Sequence, residues 1–322
     1  TKVKEKEFRA TFEIKAKALY GQIPFAIRMM KEILTASKLD DEKRLKEILS
    51  MTKTRLQDRF LSAGHSAAAL RAMSYKSPIS KFKDTTNGIG YYQNIREMEE
   101  HFEEKKEEIT NGLKALSELL FRKGNMMISY TASREGLAVL EEEIGSLKEV
   151  LYPERMPQSR CILHCEKKNE GFKTSSKVQF AAKAGNFIDA GEEYNGALQI
   201  LKVIMSYEYL WINIRVKGGA YGCMSNFNRI GEGYFVSYRD PNLGRTLEIY
   251  DGVPEYLENF TVSERDMTKY IIGTISNIDQ PMTPATKGDR SMNLYMNHVS
   301  AEMIRKEREQ ILTANQEDIR AL

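Results

Sequence analysis

Residues 8–16 alternate Phe8, Ala10, Phe12 and Ile14 with Arg9, Thr11, Glu13 and Lys15. A period of two places the apolar side chains on one face of an extended chain, so this segment is predicted to be a strand whose backbone groups need neighbours. The period then lengthens. Leu45, Ile48, Leu49, Thr52, Leu56 and Phe60 recur at three and four residues, Asp40 or Asp41 can cap the start, and Gly64 is a natural stop. That spacing predicts an amphipathic, half-buried helix. An alanine-rich stretch covers 65–73, the pairs Ser77-Pro78 and Asn87-Gly88 mark 77–90 as a loop, and a long charged helical region runs to about Phe121. Residues 125–131 have strand composition.

Residues 136–151 read as another helix, and Pro153 and Pro157 in the polar stretch behind it mark a boundary near residue 155. The chain is thus expected to divide into 1–154 and 155–322. Strands are predicted at 160–166 and at 177–184, where Val178, Phe180, Ala182 and Ala184 share one face, followed by a helix over 195–210. Further strands are predicted at 224–228 and 233–238, and helices at 242–260, 264–277 and 291–312. A small sheet with segregated helices in each half argues for an α+β fold with antiparallel pairing rather than a doubly wound sheet.

Composition narrows the function mainly by exclusion. The 322 residues carry 48 Lys and Arg against 45 Asp and Glu, a net charge of +3, which excludes a polycation built to coat nucleic acid. The charged helices read as solvated faces. The longest apolar stretch, 198–214, is interrupted by Gln199, Lys202 and Glu208, so neither nucleic acid nor a membrane is an expected partner. Cys161, Cys165 and Cys223 cannot all pair, which fits a reducing, intracellular compartment, either the cytoplasm or an organelle matrix. The chain opens at Thr1, and Lys2, Lys4, Glu5 and Lys6 leave no apolar signal-peptide core, so it is expected to be cut from a longer polypeptide.

Most motifs of known chemistry fail. Gly88-Ile89-Gly90 lacks the third glycine of a dinucleotide turn, and Gly64-His65-Ser66 lacks the spacing of a serine-hydrolase elbow. A zinc peptidase helix needs two imidazoles one turn apart with a glutamate between them, but in His101-Phe102-Glu103-Glu104-Lys105 a lysine occupies the second ligand position. On a strand, Cys161 and Cys165 face opposite to His164, so one ion could not gather all three. These cysteines read as buried apolar residues.

One stretch is more informative: Trp211-Ile-Asn-Ile-Arg215-Val-Lys-Gly218-Gly219-Ala-Tyr221-Gly222. Its glycines let the backbone turn sharply and approach another chain, while Arg215 and Tyr221 supply a fixed cation and a neutral phenol, both hydrogen-bond donors suited to peptide carbonyls. An arginine at a helix end and a tyrosine beside a turn also have a purely structural reading.

The run Arg215-Val-Lys-Gly-Gly-Ala-Tyr221-Gly, followed by Ser237-Tyr-Arg-Asp-Pro-Asn-Leu243, Thr246-Leu-Glu-Ile-Tyr-Asp251 and Ile271-Ile-Gly-Thr-Ile275, resembles the C-terminal part of the presequence protease branch of the pitrilysin (insulinase) superfamily. Gly64-His65-Ser66 and Lys183-Ala-Gly-Asn186 extend the resemblance over nearly the whole chain. It implies a zinc metalloendopeptidase of two similar halves that close around short unstructured peptides, of which this chain resembles roughly the final third. Residues 1–154 would then be a partial third domain, incomplete at its N-terminus, and 155–322 the fourth, each a mainly antiparallel sheet with packed helices. The zinc ligands, an H-x-x-E-H helix and a downstream glutamate, would lie on the N-terminal half, which becomes the expected partner; this chain alone would bind no zinc and be inactive. On matching positions Arg215 and Tyr221 would be the catalytic and substrate-binding residues, with Gly218 and Gly219 beside the peptide. The superfamily also contains members that keep the fold without the metal, so a non-catalytic peptide-binding or assembly subunit is the alternative.

Overall fold

The computed structural model describes residues 8–153 and 163–322. Pro157, Cys161, the start of the strand predicted at 160–166 and the boundary expected near 155 lie outside the described residues. The chain begins with helices α1 (Ile23–Ala36), α2 (Glu42–Met73), α3 (Pro78–Asn87), α4 (Ile89–Glu100), α5 (Phe102–Leu120) and α6 (Arg134–Glu149). Asp41 caps α2, its carboxylate accepting from the Arg44 N–H at 3.0 Å. Leu49 and Leu56 of α2 then close a core with Ile95 and Phe102, and a separate small core joins Ile23 and Ile27 of α1 to Leu147 of α6.

The break expected at Gly64 falls one residue earlier: two helical segments, counted together as α2, meet at a kink at Ala63 (φ −133°, ψ 36°). The missing side chain of Gly64 also serves close packing, because a Cβ there would lie 2.5 Å from the Phe180 ring. Ser77-Pro78 is a helix start rather than a turn, since Ser77 Oγ accepts from the Ser80 N–H at 3.3 Å and Pro78 needs no amide partner in the first helical turn.

The strands predicted at 8–16 and 125–131 form no ladder among the described residues. The alternating aromatics at the start pack on helical segments: the Phe8 ring lies 5.3 Å from that of Phe82, and Phe12 lies 5.6 Å from Phe121. Near 125 the chain makes a 3₁₀ turn, Lys123–Asn125, and the only pairing is a bridge from Arg122 to Tyr152. The sheet expected in each half is therefore found among the described residues only in the second.

That sheet contains β1 (Ala182–Asn186), β2 (Gly222–Phe227) and β3 (Glu232–Tyr238), all antiparallel in the order β1-β3-β2. Ala182 and Met224 both stand opposite Val236, and a further bridge pairs Gln179 with Asp240. Residues 163–166, predicted to be a strand, do not join it. Helix α7 (Ala197–Tyr207) packs on one face, with Ile200, Ile204 and Met205 fully buried beside Cys223, Phe227 and Phe235. Tyr238 belongs to the opposite face, where α2 packs and where its hydroxyl donates to the Ser62 carbonyl at 3.2 Å. The sheet is the middle of three layers, α+β in class.

Helices α8 (Gly244–Asp251), α9 (Val253–Glu258), α10 (Glu264–Ile278), α11 (Pro284–Met296), α12 (Ala301–Leu312) and α13 (Gln316–Arg320) complete the chain. The helix predicted over 242–260 is divided at Gly252, and that over 291–312 at a turn where His298 adopts φ 54° and Ser300 caps α12. Ile311 and Ile319 enter the same core as α7. Two buried polar ties join the first helices to the later chain. Ser80 donates to the Glu232 carboxylate, while Arg71 bridges the fully buried Asp84 (2.6 Å) and Glu170 (2.9 Å). No described helix is long and apolar enough to cross a membrane.

Candidate functional site

Immediately after α7 the chain winds into a π-helical turn, Trp211–Val216, in which the Lys217 N–H reaches the Ile212 carbonyl at 2.9 Å. A five-residue hydrogen-bond step widens the turn, and such insertions mark places where a helix re-aims a side chain. Ala220 N–H then returns to the Ile214 carbonyl (3.1 Å) and Gly219 N–H to Arg215 (2.9 Å). Gly219 holds φ +78°, and the Asn242 side-chain amide donates to the Gly218 carbonyl at 2.6 Å. The Tyr221 N–H donates to the Tyr238 carbonyl at 3.0 Å, which pins the end of the turn to β3.

This winding brings Arg215 and Tyr221 together. The Arg215 guanidinium lies 4.3 Å from the Trp211 ring centroid and 5.4 Å from that of Tyr221, and it donates to the Tyr221 carbonyl. Cation–π contact on two rings holds the charge without a carboxylate. Tyr221 is 64% exposed, and its hydroxyl has no hydrogen-bond partner among the described residues. Its ring meets the Tyr238 ring edge-on at 5.6 Å; Tyr238 in turn touches His65 at 4.8 Å and Phe180 at 5.7 Å. The glycine-histidine pair on α2 thus props the aromatic wall from behind. Burial lowers the His65 pKa, and its Nδ1 is buried without a partner among the described residues.

Trp211, Arg215, Gly219, Ala220, Tyr221 and Arg239 line a shallow depression of about 470 Å³. Gly218 sits just behind it, where a Cβ would stand 2.5 Å from the Ile214 carbonyl oxygen. Arg239 occupies left-handed backbone (φ 49°), and its guanidinium lies 5.5 Å from the Tyr238 ring. Sequence reasoning gave no role to Trp211 or Arg239. Cys223, one strand position away, is no nucleophile: burial, helped by Asp240 and opposed by Arg215, pushes its thiol up to about 11.

Among the described residues no group of three or more His, Cys, Asp or Glu side chains is placed to hold an ion. Lys105 pairs with Glu97 at 2.5 Å on the surface of the helix that carries the near-miss motif. The zinc that the family resemblance implies therefore does not fit the described part of this chain, and what the depression offers is hydrogen-bond donors, positive charge and aromatic faces.

Comparison with known proteins places the chain in a family. Residues 169–322 match the family model "PreP C-terminal domain", and residues 1–98 match the model of the region associated with peptidase family M16, subfamily C. Protein HypA of Clostridium perfringens is 40% identical over 99% of this chain and 32% of its own length. Presequence protease 1, chloroplastic/mitochondrial, of Arabidopsis thaliana is 28% identical over 95% of this chain and 29% of its own. The chain thus spans about a third of the curated relatives it matches. In fold it is similar to the crystal structure of a peptidase M16 inactive domain from Pseudomonas fluorescens, with a TM-score of 0.52, 14% identity, and coverage of 92% of this chain and 70% of that one. By sequence, the chain belongs with the C-terminal part of the presequence-protease-like branch of the M16 peptidase family.

Proposed function

We propose that this chain is the C-terminal part of a zinc-dependent endopeptidase that degrades short unstructured peptides, and that Arg215 and Tyr221 are its substrate-contacting donors. The observation that carries this reading is the convergence of those two side chains, six residues apart, on one open depression with the Tyr221 hydroxyl uncommitted. A guanidinium retains several N–H groups after one has been given to the Tyr221 carbonyl. A phenol and a guanidinium can both donate to a scissile carbonyl as it gains negative charge, an effect strongest where donors are fixed in advance. Trp211 and the Tyr238 ring supply that fixity. The metal belongs on the N-terminal half, which is the partner this chain must meet; Gly219 keeps the lining low enough for an extended peptide, and Gly218 lets the turn behind it close.

The test is Tyr221→Phe in the full-length protein, assayed on an unstructured peptide. Turnover is expected to fall about a hundredfold with affinity little changed, since the lost donor acts mainly as charge develops. A large affinity loss at constant turnover would move Tyr221 to ground-state binding. A full-length protein that binds peptide and never cleaves it would establish the non-catalytic subunit.

A further inference from the structure

Two arginines, not one, face the depression. Arg215 is supported by Trp211 and Tyr221, and Arg239 lies against Tyr238 on the other side of Tyr221. Neither forms an ion pair with a carboxylate among the described residues, and the lining contains no acidic side chain. The nearest acid in sequence, Asp240, is fully buried and already committed, accepting from the Asn242 N–H at 2.8 Å and from the Thr246 hydroxyl at 2.6 Å. Two guanidiniums held on aromatic faces with their outer N–H groups free are the usual protein solution for a planar oxyanion. Arg239 reaches this place only through left-handed backbone (φ 49°), a conformation unfavourable for a non-glycine residue. Neighbouring hydrogen bonds enforce it, because the Asp240 N–H donates to Gln179 at 2.9 Å and the Tyr221 N–H reaches the Arg239 carbonyl at 3.3 Å.

We infer that Arg239, together with Arg215, forms a carboxylate-binding subsite that selects peptides presenting an acidic group beside the bond-facing Tyr221. The inference rests on the proposed peptide-binding role of this depression and adds the chemistry of what enters it. The carboxylate has two sources, a peptide's C-terminus or a Glu or Asp side chain, and the same pair of guanidiniums would accept either.

Binding, not cleavage, is the readout. Fluorescence anisotropy of the full-length protein is measured with a metal chelator present to stop turnover, on labelled peptides of one length: free C-terminus, C-terminal amide, and amide with one internal Glu or its Gln counterpart. The peptide that carries the recognised carboxylate is expected to bind about tenfold more tightly than its neutral match, and Arg239→Gln to abolish that preference by weakening the acidic peptide far more than the neutral one. Arg239→Lys should restore part of it, and Arg239→Gly, which relaxes the backbone, should not. Preference for the free C-terminus over its amide identifies the terminus as source; preference for Glu over Gln identifies the side chain. Equal binding of all four peptides, or an equal loss on all of them in Arg239→Gln, overturns the subsite while leaving peptide binding intact. No binding of any peptide overturns both.

Discussion

Gly218 and Gly219 stand side by side yet are glycine for different reasons. A Cβ at 218 would meet two backbone oxygens, Ile214 at 2.5 Å and Asn213 at 3.0 Å, and neither can swing aside. At 219 the space is open, the nearest atom being Pro241 Cγ at 3.7 Å, but φ is +78°. Gly219→Ala is therefore expected to cost about 1–2 kcal/mol, the ordinary penalty of left-handed backbone. Gly218→Ala should cost more, because it pries open the turn that aims Arg215 and Tyr221. Thermal melts of the two variants check the order, and Gly218→Ala alone should also lower peptide affinity. The turn that brings Arg215 and Tyr221 together was legible in the sequence as a glycine-rich motif, and their proposed role only through the resemblance of that motif, since a cation at a helix end and a tyrosine beside a turn also have a structural reading. Arg239 was not, because its importance lies in a φ value and a shared surface, neither of which one residue letter encodes.

Among the elements, α2 links the two halves of the chain. It packs on the sheet where Gly64 meets Phe180, and a Cβ there would sit 2.5 Å from two ring carbons. Gly64→Ala must displace a ring that also touches His65 and Tyr238, so a loss of about 1–3 kcal/mol is expected, the range of core overpacking. A denaturation midpoint shift without a change in slope would check it. The same contact adds to what the pattern showed: a glycine at the end of an amphipathic run reads as a stop, the helix does kink at Ala63 beside it, and tertiary packing uses the missing side chain as well. Most of the helical pattern was legible because a buried stripe every three or four residues is a property of the segment itself, as in α6, α7 and α10. A strand is not such a property. Residues 8–16 carry a clear period of two, but a ladder needs a second segment, and Phe8 and Phe12 find helical neighbours instead. β2 and β3 were legible because a short turn delivers each to the other.

Over the whole molecule, phenols rather than carboxylates set the pH at which the fold fails on the alkaline side. Burial pushes Tyr256 up to about 12, and burial with the Glu170 carboxylate does the same to Tyr75. Tyr194, beside Glu307, Tyr250 in the sheet core and Tyr270, beside Glu208, are raised further, burial again being the first cause. Tyr75 ties the end of α2 to the segment at Glu170, Tyr194 the start of α7 to α12, and Tyr270 α10 to the turn after α7, and Tyr194, Tyr250, Tyr256 and Tyr270 all belong to the core around α7. In the unfolded chain a tyrosine titrates near pH 10. Above that pH the unfolded state holds fewer protons than the folded one, so stability must fall as pH rises, and it keeps falling until the folded phenols ionise. The loss is therefore expected to begin near pH 10. Tyrosinate absorbance should not rise smoothly there: the exposed phenols ionise first, and the buried set appears later in one cooperative step that coincides with loss of helical circular dichroism. A buried set that titrates gradually while the helices persist would mean that these hydroxyls are open to water and that the core packing described for α7, α10 and α12 is looser than the contacts around Tyr194 and Tyr270 require.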